Sequence, residues 1–219
     1  MKKSYVIGLG APCTGTGYTA KTLQNSGLDT PHEGLGNDGV VYWVLAARDG
    51  THPINHVWYN SYDWSKIDWE TSKVFQVARS PLNCLNSIAG HSNTKSAPRF
   101  MWAAIEKSAS KDWEFVNRNF SSFVNSASLL MAWSDLVQNS HPGMIYRVDR
   151  PKDNEKLSDF LGVEIKPYTN KKHNSKGNSN LYKYTYKNFK KYPKVGSSFA
   201  DWCDWLGYPE DAKKVRSVL

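Results

Sequence analysis

Residues 4–26 read SYVIGLGAPCTGTGYTAKTLQNS, and this stretch constrains the fold more than any other. A short apolar run at 5–9 leads directly into a loop of glycine, proline and threonine. A helix is expected over 16–26, stopped by Gly27. A strand that feeds a helix through such a turn aims backbone N–H groups and the positive helix end at one point, which suits an anion.

The other segments fit the same plan. KVFQVA at 73–78 and MIYRV at 144–148 read as buried strands. Helices are expected at 82–89, with Pro81 near the first turn, and at 99–119, 121–138 and 154–161, the last stopped by Gly162. Over 121–138, Phe123, Ala127, Leu130, Trp133 and Val137 share one helical face. Residues 28–30 read as a short second strand or extended piece. VVYWVLAAR at 40–48 fits either a strand or a buried helix, and periodicity does not choose between them. One or two helices close the chain from Ser198. Strands interleaved with helices predict an α/β fold, a three-layer parallel sheet flanked by helices, as one domain over 1–219. Ligands of such sheets lie at the C-terminal strand ends. The opening loop and Arg79 both follow strands, so they are expected to converge on one crevice.

Charge narrows the partner. The chain of 219 residues carries a net +8 and has a sequence pI near 9.3. Its Lys and Arg are densest over 152–216. That balance suits a nucleotide, nucleic acid, acidic glycan or membrane surface. Aromatic residues make up 13% of the chain, which argues against extensive disorder. The three cysteines, Cys13, Cys84 and Cys203, are far apart and show no zinc spacing, so reduced thiols in a cytoplasmic protein are expected. No apolar run of about 18 residues predicts a membrane span, and the apolar run after Lys2-Lys3 is too short for a signal segment.

Two familiar phosphate loops do not fit. Gly10 and Gly15 have the spacing of a nucleotide-kinase loop, but Thr16-Gly17 replaces the Lys-Ser/Thr pair that grips outer phosphates and Mg²⁺. A dinucleotide fingerprint fails because Cys13 stands where its third glycine belongs. Pro12-Cys13-Thr14-Gly15-Thr16-Gly17-Tyr18 instead resembles the 5′-phosphosulfate loop of sulfotransferases that use 3′-phosphoadenosine-5′-phosphosulfate (PAPS). Arg79-Ser80-Pro81, with Ser87 eight residues after the arginine, is similar to that family's 3′-phosphate motif. Trp133–Leu136 followed by MIYRVD at 144–149, and KLSDFLGV at 156–163, are similar to later family elements. The resemblance covers residues 4–89 and 129–177, apart from 35–72. The helix start GTGYTAK also resembles that of small viral and bacterial sulfotransferase-like proteins.

The resemblance implies a fold like that of P-loop nucleoside triphosphate hydrolases. It implies transfer of a sulfuryl group from PAPS to a hydroxyl or amine acceptor such as a glycan or small molecule, leaving 3′,5′-bisphosphoadenosine (PAP), with no metal. Pro12 to Tyr18 would hold the 5′ end through backbone amides and threonine hydroxyls. Arg79 and Ser87 would hold the 3′-phosphate. The basic loop within 166–187, with Lys172, Lys176 and Gly177, would close over it. Glu33 stands where glycan-type family members carry their base, and adjacent His32 is a second candidate for that role. Either residue could equally cap a turn.

Cys13 departs from the family, which carries Lys or Arg there to neutralise the leaving oxygen. Lys21, Arg48, Lys172 or Lys176 would have to substitute. The alternative is a protein that binds PAPS or PAP with weak transfer or none. A basic nucleic-acid-binding protein, stacking bases on Tyr182, Tyr184 and Tyr186, is the less favoured partner reading. The aromatic segment 35–72, which includes Trp58, Tyr59, Trp64 and Trp69 with His52 and His56, is read either as an acceptor cleft or as packing under a long loop. His91 is a loop histidine or a further base.

Overall fold

The computed structural model describes residues 2–47, 62–91, 123–169 and 184–219. In chain order these hold β1 (Val6–Leu9), α1 (Thr16–Asn25), β2 (Gly39–Val41), β3 (Lys73–Ala78), α2 (Pro81–His91), α3 (Phe123–Gln138), β4 (Ile145–Arg147), α4 (Asp153–Leu161), α5 (Pro193–Trp205) and α6 (Pro209–Arg216). Short 3-10 helices occupy Trp43–Ala47, Trp64–Lys66 and Tyr186–Lys191. Contacts divide the chain into two compact units: Met1–Ala78 with Val137–Ser175, and Arg79–Leu136 with Lys176–Leu219.

The described residues of the first unit form a four-stranded sheet in the order β2-β1-β3-β4, parallel throughout. With its flanking helices it has the α/β architecture that the alternating strands and helices predict. Ile7 pairs with Val40 on one side and Val74 on the other, so β1 is central and buried. Ala20 and Leu23 of α1 and Leu157 and Leu161 of α4 join Val41, Phe75, Val77 and Tyr146 in one apolar cluster. Each large apolar side chain buried this way contributes about 2 kcal/mol.

The second strand is not at 28–30. There the chain folds back, with the Thr30 amide donating to the Leu28 carbonyl at 2.9 Å, and the ladder is formed by Gly39–Val41. Three residues carry too little periodicity to be seen in sequence. Gly39 is the informative one: a β-carbon there would overlap the Val6 carbonyl, its cross-strand partner. The ambiguous run after it is both things in turn, a strand to Val41 and then a buried 3-10 helix from Trp43. Its residues 40–47 are core, so this part of 35–72 does not line an acceptor cleft. Among the described residues β4 is at the edge of the sheet, and only Tyr146 of its three residues is fully buried.

The described part of the second unit is helical. Phe123, Tyr184, Phe189 and Phe199 form a chain of ring contacts at 4.6–5.3 Å that ends on Trp202. α3 has no single apolar face. Asn125, Ser126, Ser128 and Ser134 are as buried as Leu130 and Trp133, so the helix is enclosed all round. α5 and α6 each begin with proline, and Gly207, at φ 82°, turns the chain between them. The expected helix at 99–119 lies outside the described residues.

Candidate anion site at the end of strand β1

β1 delivers the chain to the C-terminal edge of the sheet, and Gly10 lets it turn there. A β-carbon on Gly10 would lie 2.6 Å from Thr14 Oγ1 and 2.7 Å from the Val77 carbonyl oxygen. Ala11 to Thr14 then make a tight turn. The Thr14 amide donates to the Ala11 carbonyl at 3.2 Å, and the Thr14 hydroxyl donates to the same oxygen at 2.7 Å. Pro12 takes the second position of this turn and Cys13 the third, with φ 71°. Proline followed by a residue of positive φ is the pattern of a type II turn, which ordinarily calls for glycine at that third position. The loop is thus shaped by its own bonds, and the Thr14 hydroxyl is committed within it.

Gly15, at φ 103°, is the N-cap of α1 and supplies no capping side chain. The Thr19 amide and hydroxyl both return to the Gly15 carbonyl, at 2.9 and 3.0 Å. The amides of Gly15, Thr16, Gly17 and Tyr18 donate to no backbone carbonyl among the described residues. First-turn amides are left over in any helix, and here they accompany the positive end of a dipole with no acidic residue in the first turn.

His32 and Glu33 reach this point through the sheet. Gly8 pairs with Val41, and Val41 in turn bridges to His32. The Glu33 amide donates to the Val41 carbonyl at 3.2 Å. The His32 ring lies over the start of α1. Its Nε2 is 3.1 Å from Thr16 Oγ1, and three of its ring atoms lie 3.9 Å from the place a β-carbon on Gly17 would take. The Glu33 carboxylate accepts from the Trp43 indole N–H at 3.1 Å and stands 4.0 Å from His32 Nε2. Glu33 has φ 60°. Of the three non-glycine residues with positive φ among the described residues, two are Cys13 and Glu33. Such strain concentrates where a structure is held for a task.

Pro12, Thr14 and Thr16 are buried, while Cys13 and Tyr18 are half-exposed. Tyr18 meets Tyr168 edge-on at 6.4 Å. Lys21 lies further along α1, exposed.

Arg79 and Ser87 belong to the second unit. Arg79 follows β3 directly, is half-exposed, and forms no ion pair among the described residues. Ser87 is half-buried on α2. The start of α2 already holds an anion from within the unit. Asp211 of α6 accepts from the Ser80 hydroxyl at 2.6 Å and from the Leu82 amide at 3.3 Å. Asn86, the residue before Ser87, pairs with the Tyr184 backbone in both directions, donating at 3.0 Å and accepting at 2.7 Å. Lys172, Lys176 and Gly177 lie outside the described residues, as do Arg48, His52, His56, Trp58, Tyr59 and Tyr182, and the side chain of His91.

The sequence reading missed four features: the Thr16–His32 contact, the Trp43–Glu33 bond, the turn that strains Cys13, and the Asp211 cap. Only the turn had a local signal, Pro12 at its second position. The His32 and Glu33 contacts depend on the sheet register, and the Asp211 cap joins α6 to the start of α2. A scan against protein-family models gives no match, and searches of curated proteins and of solved structures give none either. Among the described residues no helix is long and apolar enough to cross a membrane.

Proposed function

We propose that the protein is a PAPS-dependent sulfotransferase with a fold of the P-loop type. The observation that carries this reading is the start of α1: amides of Gly15 to Tyr18 without backbone partners among the described residues, at the C-terminal end of β1, with no lysine after the loop to grip a triphosphate. In this reading those amides hold the 5′-phosphosulfate. Arg79 and Ser87 take the 3′-phosphate, the arginine through its guanidinium fork. An acceptor hydroxyl or amine attacks sulfur in line, its proton passes to Glu33, and the S–O bond to PAP breaks. The Trp43 indole orients the Glu33 carboxylate for that role.

A second reading has a specific observation behind it. Cys13 is held in a strained turn at the place where the resemblance expects a cation. This favours a PAPS- or PAP-binding protein with weak transfer or none.

Calorimetric titration with PAP tests the common ground of both. Micromolar binding is expected, weakened about 10- to 100-fold in Arg79→Ala, the scale of one charged hydrogen-bonding group. Absence of binding at millimolar PAP overturns both readings. Transfer of labelled sulfate from PAPS to a panel of glycans and small alcohols and amines then separates enzyme from binder.

A further inference from the structure

We infer that His32 is the cation of the α1 anion site, serving in protonated form where the loop carries Cys13, and that anion binding there is therefore coupled to proton uptake. This rests on reading the start of α1 as an anion site and assigns His32 to the donor side of the reaction, leaving Glu33 as the base.

His32 Nε2 and Thr16 Oγ1 are in hydrogen-bonding contact at 3.1 Å. A neutral imidazole with its lone pair on Nε2 accepts the Thr16 proton, and the hydroxyl then has no hydrogen to offer an anion. An imidazolium reverses the bond. Its Nε2–H donates to Thr16 Oγ1, and the Thr16 hydrogen turns outward as a donor. Protonation thus adds a positive charge over the first turn of α1 and, starting from that tautomer, releases a hydroxyl donor beside the amides of Gly17 and Tyr18. The ring lies 3.9 Å from the place a β-carbon on Gly17 would take, an ordinary contact distance over the first turn.

The surrounding charges make the equilibrium responsive. Glu33, 4.0 Å away on the same turn, favours the imidazolium. The positive end of α1 opposes it. Residues 10–25, the loop and α1, hold no carboxylate, and their one cationic side chain, Lys21, is exposed beyond the first turn. The loop adds Cys13. Val41, the strand residue bridged to His32, is neutral. A bound dianion tips this balance toward the charged ring. By linkage, protonation tightens binding by the same factor by which binding raises the affinity of the ring for a proton. Histidine is the side chain whose ordinary titration range places such coupling near neutral pH.

Sulfate is the test probe, because it keeps both charges throughout this range and its own titration does not intrude. The experiment is isothermal titration of the full chain with sulfate at about pH 6 and about pH 8, repeated near pH 7 in buffers of different ionisation enthalpy. Association about tenfold weaker at the higher pH is expected, the effect of a one-unit difference between the bound and free pKa. A fraction of a proton should be taken up per sulfate near pH 7. His32→Gln keeps a hydrogen-bonding side chain but should bind equally at both pH values and take up no proton. Thr16→Val should weaken binding at the lower pH toward the level seen at the higher. Equal wild-type affinity at the two pH values without proton uptake, or a His32→Gln protein that retains the pH dependence, overturns the inference. A parallel PAP titration separates the two levels. PAP binding alongside pH-independent sulfate binding removes the role of His32 and leaves the nucleotide reading. Proton-linked sulfate binding without PAP binding does the reverse. No sulfate binding at either pH overturns the inference outright.

Discussion

The Cγ2 of Val148 stands 2.8 Å from the point where a β-carbon on Gly15 would lie. The residue after β4 therefore closes over the N-cap of α1, and only glycine fits beneath it. Gly15→Ala meets both this wall and a φ of 103°. The backbone term alone costs about 1–2 kcal/mol. Urea unfolding should show a loss of at least that size. Adding Val148→Ala should recover the steric part and leave the backbone part. An unchanged midpoint in the single variant would show that the loop does not hold this conformation.

Arg147 and Asp153 lock β4 to α4. Two guanidinium nitrogens, Nε and Nη2, meet the two carboxylate oxygens at 2.6 and 2.9 Å, and the Arg147 amide adds a third bond at 3.1 Å. Burial of Asp153 raises its pKa, but the Arg147 bonds and charge outweigh this and hold it below the ordinary carboxylate value. The depressed value makes the ionised form part of the folded state. Its contribution is complete above the unfolded carboxylate pKa, about 3.9, and disappears as pH falls through the folded value. Asp153→Asn leaves the arginine facing an uncharged group and is expected to cost about 3 kcal/mol in urea unfolding at pH 7. The difference between variant and wild type should shrink below about pH 4. A difference that stays constant down to pH 2 would reject the ion pair as its source.

The three thiols should separate by reactivity. Cys84 and Cys203 are fully buried, and Cys13 is half-exposed in its turn. Burial drives the Cys203 thiol far above its ordinary pKa, and nearby Asp211, Asp204 and Cys84 add to the effect. A group held protonated is a poor nucleophile at neutral pH. Labelling the native protein with an aromatic disulfide at pH 8 should therefore modify one thiol quickly, located by mass spectrometry at Cys13, and the other two only on unfolding. Fast labelling of Cys203 in the native state would contradict this burial.

Cys13→Lys probes the same site as His32 from the other side. A permanent cation in the loop should tighten sulfate and PAP binding at about pH 8 by about tenfold, and flatten the dependence on pH. If the protein transfers sulfuryl groups, turnover from PAPS should rise as well. The substitution does not add backbone strain of a new kind, since cysteine already holds the positive φ. Affinity that is unchanged at both pH values would mean that residue 13 does not face the anion.

How far each of these features was legible from sequence follows from how local it is. α1 could be read within a residue at its ends, because Gly15 and Gly27 bracket it and both take positive φ. β3 was read at its observed bounds from six residues of buried, β-forming character. α4 was stopped correctly at Gly162, which adopts φ 74°. β2 stays ambiguous in sequence, within a run that fits strand or helix, because three residues hold no period, and Gly39 reveals itself only against Val6 of another strand. On α3 the shared face of Phe123, Ala127, Leu130, Trp133 and Val137 is buried as expected, but so are polar residues beside it. Spacing along a helix records where apolar residues lie, not whether the polar positions between them are also enclosed.

The candidate site divides along the same line. Sequence alone determined that a strand, a glycine-bearing turn and a helix N-terminus follow one another at 6–25, because that signal lies in adjacent residues and their backbone preferences. It also determined that no kinase lysine follows the loop. Tertiary structure decided that His32 lies on Thr16 and that Trp43 holds Glu33, through the register that pairs Gly8 with Val41 and bridges Val41 to His32. Those contacts join residues up to 33 positions apart across strands. Parallel pairing is a long-range choice made by burial and hydrogen bonding of whole strands, and no single segment encodes it.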